Sequence, residues 1–347
     1  MTSTELRVAT WNVNGLRSYI LDQLPSGKFK GKTEIAADSN LAELIRLYRP
    51  NIICFQETRC GADNMSRFQI PGWTIYSSSS QGQGGRGPNR YSGVSIWVSD
   101  DLELPEPSKL EQLPSLSEPI TSADREGRFL ALRYPTFTII NTYVPNAGTN
   151  FSYRTERWDP AMAAFLASEK ESGLLTIWMG DLNVARTPYD VHFGDIRHLP
   201  QAQKLIKDRE NATSTPEDDL NAKLEAIRQK VHSNSHMQGT GQNVPAGFTR
   251  QERDGIKKIL ESGYCDAWRH LHPTDYYQGF SWWNLRVPAY RPQDRGWRID
   301  YVIIDNNHID NLKDCRVLRQ VGCLSHNDPK VKKYGSDHAP VCATIMV

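Results

Sequence analysis

The chain has 347 residues, enough for a sizeable core, and its 41 Lys and Arg against 40 Asp and Glu leave a formal net charge of +1. So even a balance excludes capture of a polyanion by bulk attraction, and any such partner must be held by local contacts. No apolar run is long enough to span a bilayer, and the six cysteines contain no CxxC pair, which speaks against a membrane protein and a disulfide scaffold. The opening Met1-Thr-Ser-Thr-Glu5 leads directly into an apolar strand, without the basic segment and long apolar run of a secretion signal. A reducing, intracellular compartment is expected.

Residues 6–11 form the first short apolar run and predict a strand. Residues 22–37, rich in Lys and Gly, supply no core face and read as a surface insertion. Leu41, Leu44, Ile45 and Tyr48 recur at helical spacing after the possible cap Ser39 and before Pro50, which disfavours helix at Arg49. Strands are predicted over 52–55 and 94–98. Between them Gly82-Gln-Gly-Gly-Arg-Gly87 fits GxGxxG, but Pro88 and a strand follow it where a dinucleotide site needs a helix, so it reads as a loop. Residues 129–134 and 137–143 flank a short Pro135-Thr136 link, which predicts a hairpin and a sheet that is not purely parallel. A strand over 174–179 follows, and then 196–245, a polar stretch with one helix expected over 218–230, reads as a second surface insertion without a core face. Thr249-Arg-Gln-Glu252 has the spacing of a capping box ahead of Ile256, Ile259 and Leu260. His270 and His272, without a thiolate or carboxylate cluster, read as surface or supporting residues. Strands over 297–304 and 341–346 complete a single domain, 1–347, of mixed sheets with helices outside.

Several short polar side chains stand at the strand edges. Asn12 and Asn14 end the first strand and share a side if its extended geometry continues. Glu57 follows the second, Asp181 and Asn183 follow Gly180, and Asp337 and His338 precede the last. Oxygen donors gathered from distant segments suit a hard divalent cation and a phosphate, while carboxylate, amide and imidazole divide the work of activating water and stabilising phosphoryl charge. Asp300, inside an alternating strand, needs a partner. His338 would have its tautomer fixed by it, and a structural bridge to Arg298 is the alternative.

In order along the chain, Trp11-Asn-Val-Asn-Gly-Leu-Arg17, Gln56-Glu-Thr58, Tyr91-Ser-Gly-Val94, Tyr143-Val-Pro-Asn-Ala-Gly148, Gly180-Asp-Leu-Asn183, Gly296-Trp-Arg-Ile-Asp-Tyr301 and Ser336-Asp-His338 resemble the exonuclease III family of apurinic/apyrimidinic endonucleases, in the endonuclease/exonuclease/phosphatase superfamily. The likeness runs nearly from end to end. It implies a DNase I-like, four-layered α/β sandwich of two mixed β-sheets flanked by helices. It also implies a DNA repair nuclease that hydrolyses the phosphodiester 5′ to an abasic site and leaves a 3′-hydroxyl, with 3′-phosphodiesterase and 3′–5′ exonuclease activity beside it. The cofactor implied is Mg²⁺, with Mn²⁺ as a substitute. Glu57 would be the principal metal ligand, with Asn14 and Asp337 nearby. Asp181 would orient or deprotonate the attacking water; Asn183, Asn146 and Asn12 would bond the phosphate; Tyr143 would donate to it or act as phenolate; and His338, oriented by Asp300, would contact the phosphoryl oxygens. Trp282, Trp297 and Ile299 would line a pocket for the base-free sugar. The expected partner is double-stranded DNA with abasic sites or blocked 3′ ends, met by a monomer without a membrane, in the nucleus of a eukaryote or the cytoplasm of a prokaryote. Asn14 stands where some members carry aspartate, which removes one anionic ligand. The rivals are a superfamily phosphatase or phospholipase and a non-catalytic DNA-binding module.

Overall fold

Short apolar runs bounded by turn residues become strands in the computed structural model, which describes residues 4–16, 35, 39–61, 65, 69–80, 92–116, 121, 123–211, 217–321 and 336–347. The expected insertion over 22–37, Ile35 apart, and the 82–87 loop lie outside the described residues. The strands are β1 (Glu5–Asn12), β2 (Ile52–Gln56), β3 (Trp73–Ser78), β4 (Val94–Ser99), β5 (Ser108–Leu110), β6 (Phe129–Arg133), β7 (Phe137–Tyr143), β8 (Leu175–Asp181), β9 (Tyr264–Asp266), β10 (Asp300–Asp305), β11 (Leu312–Val317) and β12 (Val341–Met346). The α-helices are α1 (Asn40–Tyr48), α2 (Ala147–Ser152), α3 (Asp159–Glu171), α4 (Pro200–Asn211), α5 (Glu217–His232), α6 (Arg250–Glu261) and α7 (Ala267–Leu271).

Two six-stranded sheets result, ordered β11-β12-β1-β2-β4-β3 and β5-β6-β7-β8-β10-β9. Each has a central parallel pair, β1 with β2 and β7 with β8, among antiparallel neighbours. The predicted hairpin is β6–β7, closed by Tyr134 N donating to Phe137 O at 2.8 Å. Successive strand side chains point to opposite faces. Val8, Ile52, Ile96, Ile139, Ile177 and Val302 therefore meet in a core between the sheets. On the outer faces, Ile53, Phe55 and Trp97 pack with Leu41 and Leu44 of α1, while Ile140, Trp178 and Ile303 pack with Phe165 of α3 and Ile256 of α6. The layers run helix, sheet, sheet, helix.

Local chemistry sets the helix ends. Ser39 Oγ accepts from Ala42 N at 3.1 Å, and Arg49, ahead of Pro50, turns left-handed with φ 51°. At α6 the capping box forms as read, Thr249 and Glu252 satisfying each other's backbone amides.

Four strands were not anticipated. β5 and β9 are three residues long, β3 is largely half-exposed, and a bulge between Leu312 and Asp314 breaks the alternation of β11. The strand expected over 297–304 starts only at Asp300, because Trp297 forms isolated bridges with Trp282 and Val191. The 196–245 stretch also departs from expectation. It carries α4 as well as α5, and Met237 is buried with Phe248 and Ile299, so it does contribute to a core. Among the described residues, no helix is long and apolar enough to cross a membrane.

Candidate active site

The ends of β1, β2, β7 and β8 and the beginnings of β10 and β12 share one edge of the sandwich, since Tyr143 and Asp300 both register with Asp181, and Asn12 registers with Gln56. Just past β1, β2 and β8, residues Asn14, Glu57 and Asn183 have φ of 48°, 50° and 48°. Left-handed backbone turns these side chains out of the ladder. The strain is of order 1–3 kcal/mol for a non-glycine residue, less for asparagine. Gly180 is required beneath them: with φ 146°, a Cβ there would fall 1.9 Å from Thr142 O and force β7 and β8 apart.

Asn12 joins the two sheets at the site, as Gln56 and Asn141 do deeper in the core. Asn12 Nδ2 donates to Glu57 Oε1 at 3.1 Å and to Asp181 Oδ2 at 2.9 Å. The extended geometry does not continue to Asn14, whose amide N–H donates to Asn12 Oδ1 at 3.0 Å, while its Nδ2 donates to Asp337 Oδ1 at 3.1 Å. Asn183 N donates to Asp181 Oδ1 at 2.8 Å, and Asn146 Nδ2 donates to Asn183 Oδ1 at 3.2 Å. The group that clamps these loops has no signature in the sequence. Arg154, 2% exposed, donates to the carbonyls of Pro145, Leu182 and Asn183 and lies 3.5 Å from Glu252. It issues from a π-helical turn, Tyr153–Trp158, which no sequence period announces.

His338 and Asp300 meet as anticipated. His338 Nδ1 lies 2.9 Å from Asp300 Oδ2, which also accepts from Ser281 Oγ at 2.6 Å, and His338 Nε2 faces Asp181 Oδ2 at 3.9 Å. Arg298, the alternative partner of Asp300, is instead bound by Asp190 and Asp266. Burial disfavours charge on the imidazole, but the carboxylates of Asp300, Asp181 and Asp337 outweigh it and hold His338 protonated well above its ordinary range. Burial and the Asp300 carboxylate push Asp181 up. Among the described residues, Asp181, Asp300 and His338 are also the group whose metal-competent atoms lie within 4.8 Å of one another. With Nδ1 already held by Asp300, Nε2 is the imidazole nitrogen left to face Asp181, as an ion-pair contact. Tyr143 is held up as a phenol by burial and by Glu57, and the Arg128 guanidinium lies 4.5 Å from its ring centroid.

These groups open into a cleft of about 720 Å³ that also exposes Trp282, Trp297 and Ile299, the three expected lining residues. Trp282 and Trp297 meet edge to face at 5.9 Å. Trp282 does more than line, since its Nε1 donates to Asp337 Oδ2 at 2.9 Å. Phe193, unforeseen, packs its edge on Trp297 at 5.5 Å, and His236, Asn243 and Pro245 of the insertion reach the same cleft. His272 is no ligand. Its ring nitrogens are taken by Asp275 and by Cys315 O, and it stacks on Trp268.

Residues 9–338 match the model of the Endonuclease/Exonuclease/phosphatase family, and the chain belongs to that family. Its similarities within it are to abasic-site endonucleases and exodeoxyribonucleases. It is 26% identical to a DNA-(apurinic or apyrimidinic site) endonuclease of Dictyostelium discoideum over 97% of this chain and 70% of the relative. It is 24% identical to an exodeoxyribonuclease of Bacillus subtilis, covering 97% of this chain and 98% of that one. The fold superposes on the crystal structure of the AP endonuclease LMAP from Leishmania major with a TM-score of 0.66 at 21% identity, covering 99% of this chain and 88% of the other.

Proposed function

We propose that this chain is a DNA repair nuclease that hydrolyses the phosphodiester 5′ to an abasic site, leaving a 3′-hydroxyl, and that it also trims blocked 3′ ends. The observation that carries this is one juxtaposition: Asn12 bridges Glu57 and Asp181, with His338 pinned by Asp300, at the mouth of a cleft lined by Trp282, Trp297 and Ile299.

The donor set fits a hard cation. Glu57, Asp337 and Asn14 offer oxygen only, and Glu57 already attracts a positive charge, the Arg59 guanidinium, 3.1 Å from Oε2 through Nε. These three residues would hold Mg²⁺, or Mn²⁺ in its place. When bound, the ion supplies positive charge to the phosphoryl oxygens. Asp181 orients the attacking water and accepts its proton, aided by a carboxyl pushed up toward neutral pH by burial. Asn12, Asn146 and Asn183 bond the phosphate, Tyr143 donates its phenol proton to it, and the charged His338 faces the phosphoryl oxygens. The lesion test is steric. A base-free sugar enters between the tryptophans, and extrusion is cheapest where pairing and stacking are already lost. The substrate is therefore double-stranded DNA, bound by a single copy of one domain.

The test is Mg²⁺-dependent cleavage of matched duplexes carrying an abasic site, a 3′ block or no lesion, with a phosphoinositide in parallel. Nicking 5′ to the abasic site is expected. Phosphoinositide hydrolysis without nicking would overturn the assignment, and binding without cleavage would favour a non-catalytic module. Glu57→Gln should weaken metal dependence more than DNA binding, and His338→Ala should cut turnover at least about a hundredfold.

A further inference from the structure

Both oxygens of Glu57 are engaged by unlike partners, Asn12 and Arg59, and the Tyr143 hydroxyl shares the same carboxylate. Oε1 accepts from Asn12, an amide that is fully buried and shared with Asp181. Oε2 accepts from the Nε and Nη2 of Arg59, whose side chain is 42% exposed against 15% for Glu57. The Arg59 backbone is fixed, since its N–H donates to Ser92 O at 2.9 Å and Thr58 N donates to Gly93 O at 3.0 Å. Its own φ of 51°, two residues after the left-handed Glu57, turns the side chain back on the carboxylate. The guanidinium can therefore leave at the cost of one exposed ion pair, with nothing in the fold disturbed. The amide of Asn12 cannot.

A divalent cation and a guanidinium cannot both occupy Oε2, because like charges at van der Waals distance repel. We infer that Arg59 is the exchangeable counter-cation of Glu57: it holds the carboxylate while no metal is bound, is displaced by the ion, and so sets the free-metal concentration at which the site loads. This rests on the reading of Glu57 as metal ligand. It assigns to Arg59 a role opposite in sign to that of a structural partner, whose loss weakens a site.

The experiment is Mn²⁺ binding to the full chain without DNA, followed by electron paramagnetic resonance of free Mn²⁺ at about 0.15 M salt, with circular dichroism to verify folding. Arg59→Gln should bind Mn²⁺ about fivefold more tightly, the fold-change of one exposed ion pair. Arg295→Gln, which removes a charge from the same cleft away from Glu57, should change affinity much less. In Glu57→Gln binding should be lost, and adding Arg59→Gln should then restore nothing. Unchanged or weaker binding in Arg59→Gln, with Glu57→Gln still abolishing it, overturns the exchange and leaves Glu57 as ligand. An Arg295→Gln effect as large as that of Arg59→Gln also overturns it, as a general field effect. Undiminished binding in Glu57→Gln removes the metal reading itself and this inference with it.

Discussion

Asp300 acts on the proposed chemistry through His338, which it holds, and through its charge, which helps to raise Asp181. Its carboxylate accepts from Ser281 Oγ and from Nδ1 of the imidazole, so Nε2 is the nitrogen left facing Asp181. Asp300→Asn keeps the size but offers an N–H where a lone pair is needed. Turnover on an abasic duplex should fall about 10- to 100-fold, measured at a temperature where the variant is still folded by circular dichroism; equal turnover would sink the role of Asp300. Asp190 makes the contrasting case of a carboxylate used for structure. Burial opposes its charge, but Arg298 and Arg269 outweigh burial and hold it well below the ordinary carboxylate range. A lowered folded pKa stabilises above the unfolded value of about 4, and that contribution is lost as pH falls below it. Asp190→Asn should therefore cost about 3–5 kcal/mol at pH 7, by leaving Arg298 partly uncompensated. Urea denaturation should show the gap between the two proteins narrowing below about pH 4. A gap as wide at pH 3 as at pH 7 would refute the account.

Helix α6 ties a cap to the site. Thr249 and Glu252 close its first turn, and Glu252 also accepts from Gly247 N at 2.9 Å and lies beside Arg154, which grips the carbonyls of Leu182 and Asn183. Thr249→Ala removes the hydroxyl cap and its hydrogen bond to Glu252 but leaves the carboxylate in place, and chemical denaturation should register about 1–2 kcal/mol. Glu252→Ala strips a buried guanidinium of one of its two counter-charges, the other being Asp159 at 3.6 Å, and the same measurement should register about 3 kcal/mol with activity lost in step. Similar costs for both would mean that Arg154 does not depend on Glu252. The helix itself was legible in Thr249-Arg-Gln-Glu252, because capping is decided within four residues. The link to Arg154 was not, since its partners lie 9, 28 and 29 positions away.

Across the whole molecule, the core between the sheets draws on β1, β2, β4, β6, β7, β8, β10 and β12, so neither sheet keeps its inner apolar face covered without the other. Urea unfolding followed by tryptophan fluorescence and by circular dichroism should give coincident transitions. Hydrogen exchange should place α4 and α5, which are built mostly of charged and polar residues and lie outside the two sheets, among the first elements to open. Separate transitions would mean two domains. The amino-acid sequence determined what is local or additive: the apolar runs that become the central strands, where α1 and α6 begin, and which motifs stand in order from Trp11 to His338. Period, caps and turns act over a few residues, so these were readable. Only the tertiary structure decided what depends on meeting across the sandwich: that Asn12 spans Glu57 and Asp181, that Arg298 belongs to Asp190 and Asp266 and leaves Asp300 to His338, and that the 196–245 stretch walls the cleft. Glu57 shows both halves. Its place past a buried strand was visible in the sequence, but the left-handed backbone at Glu57 and Arg59, which folds that near neighbour back onto the carboxylate, and the bond from Asn12, far off in the chain, came only with the structure.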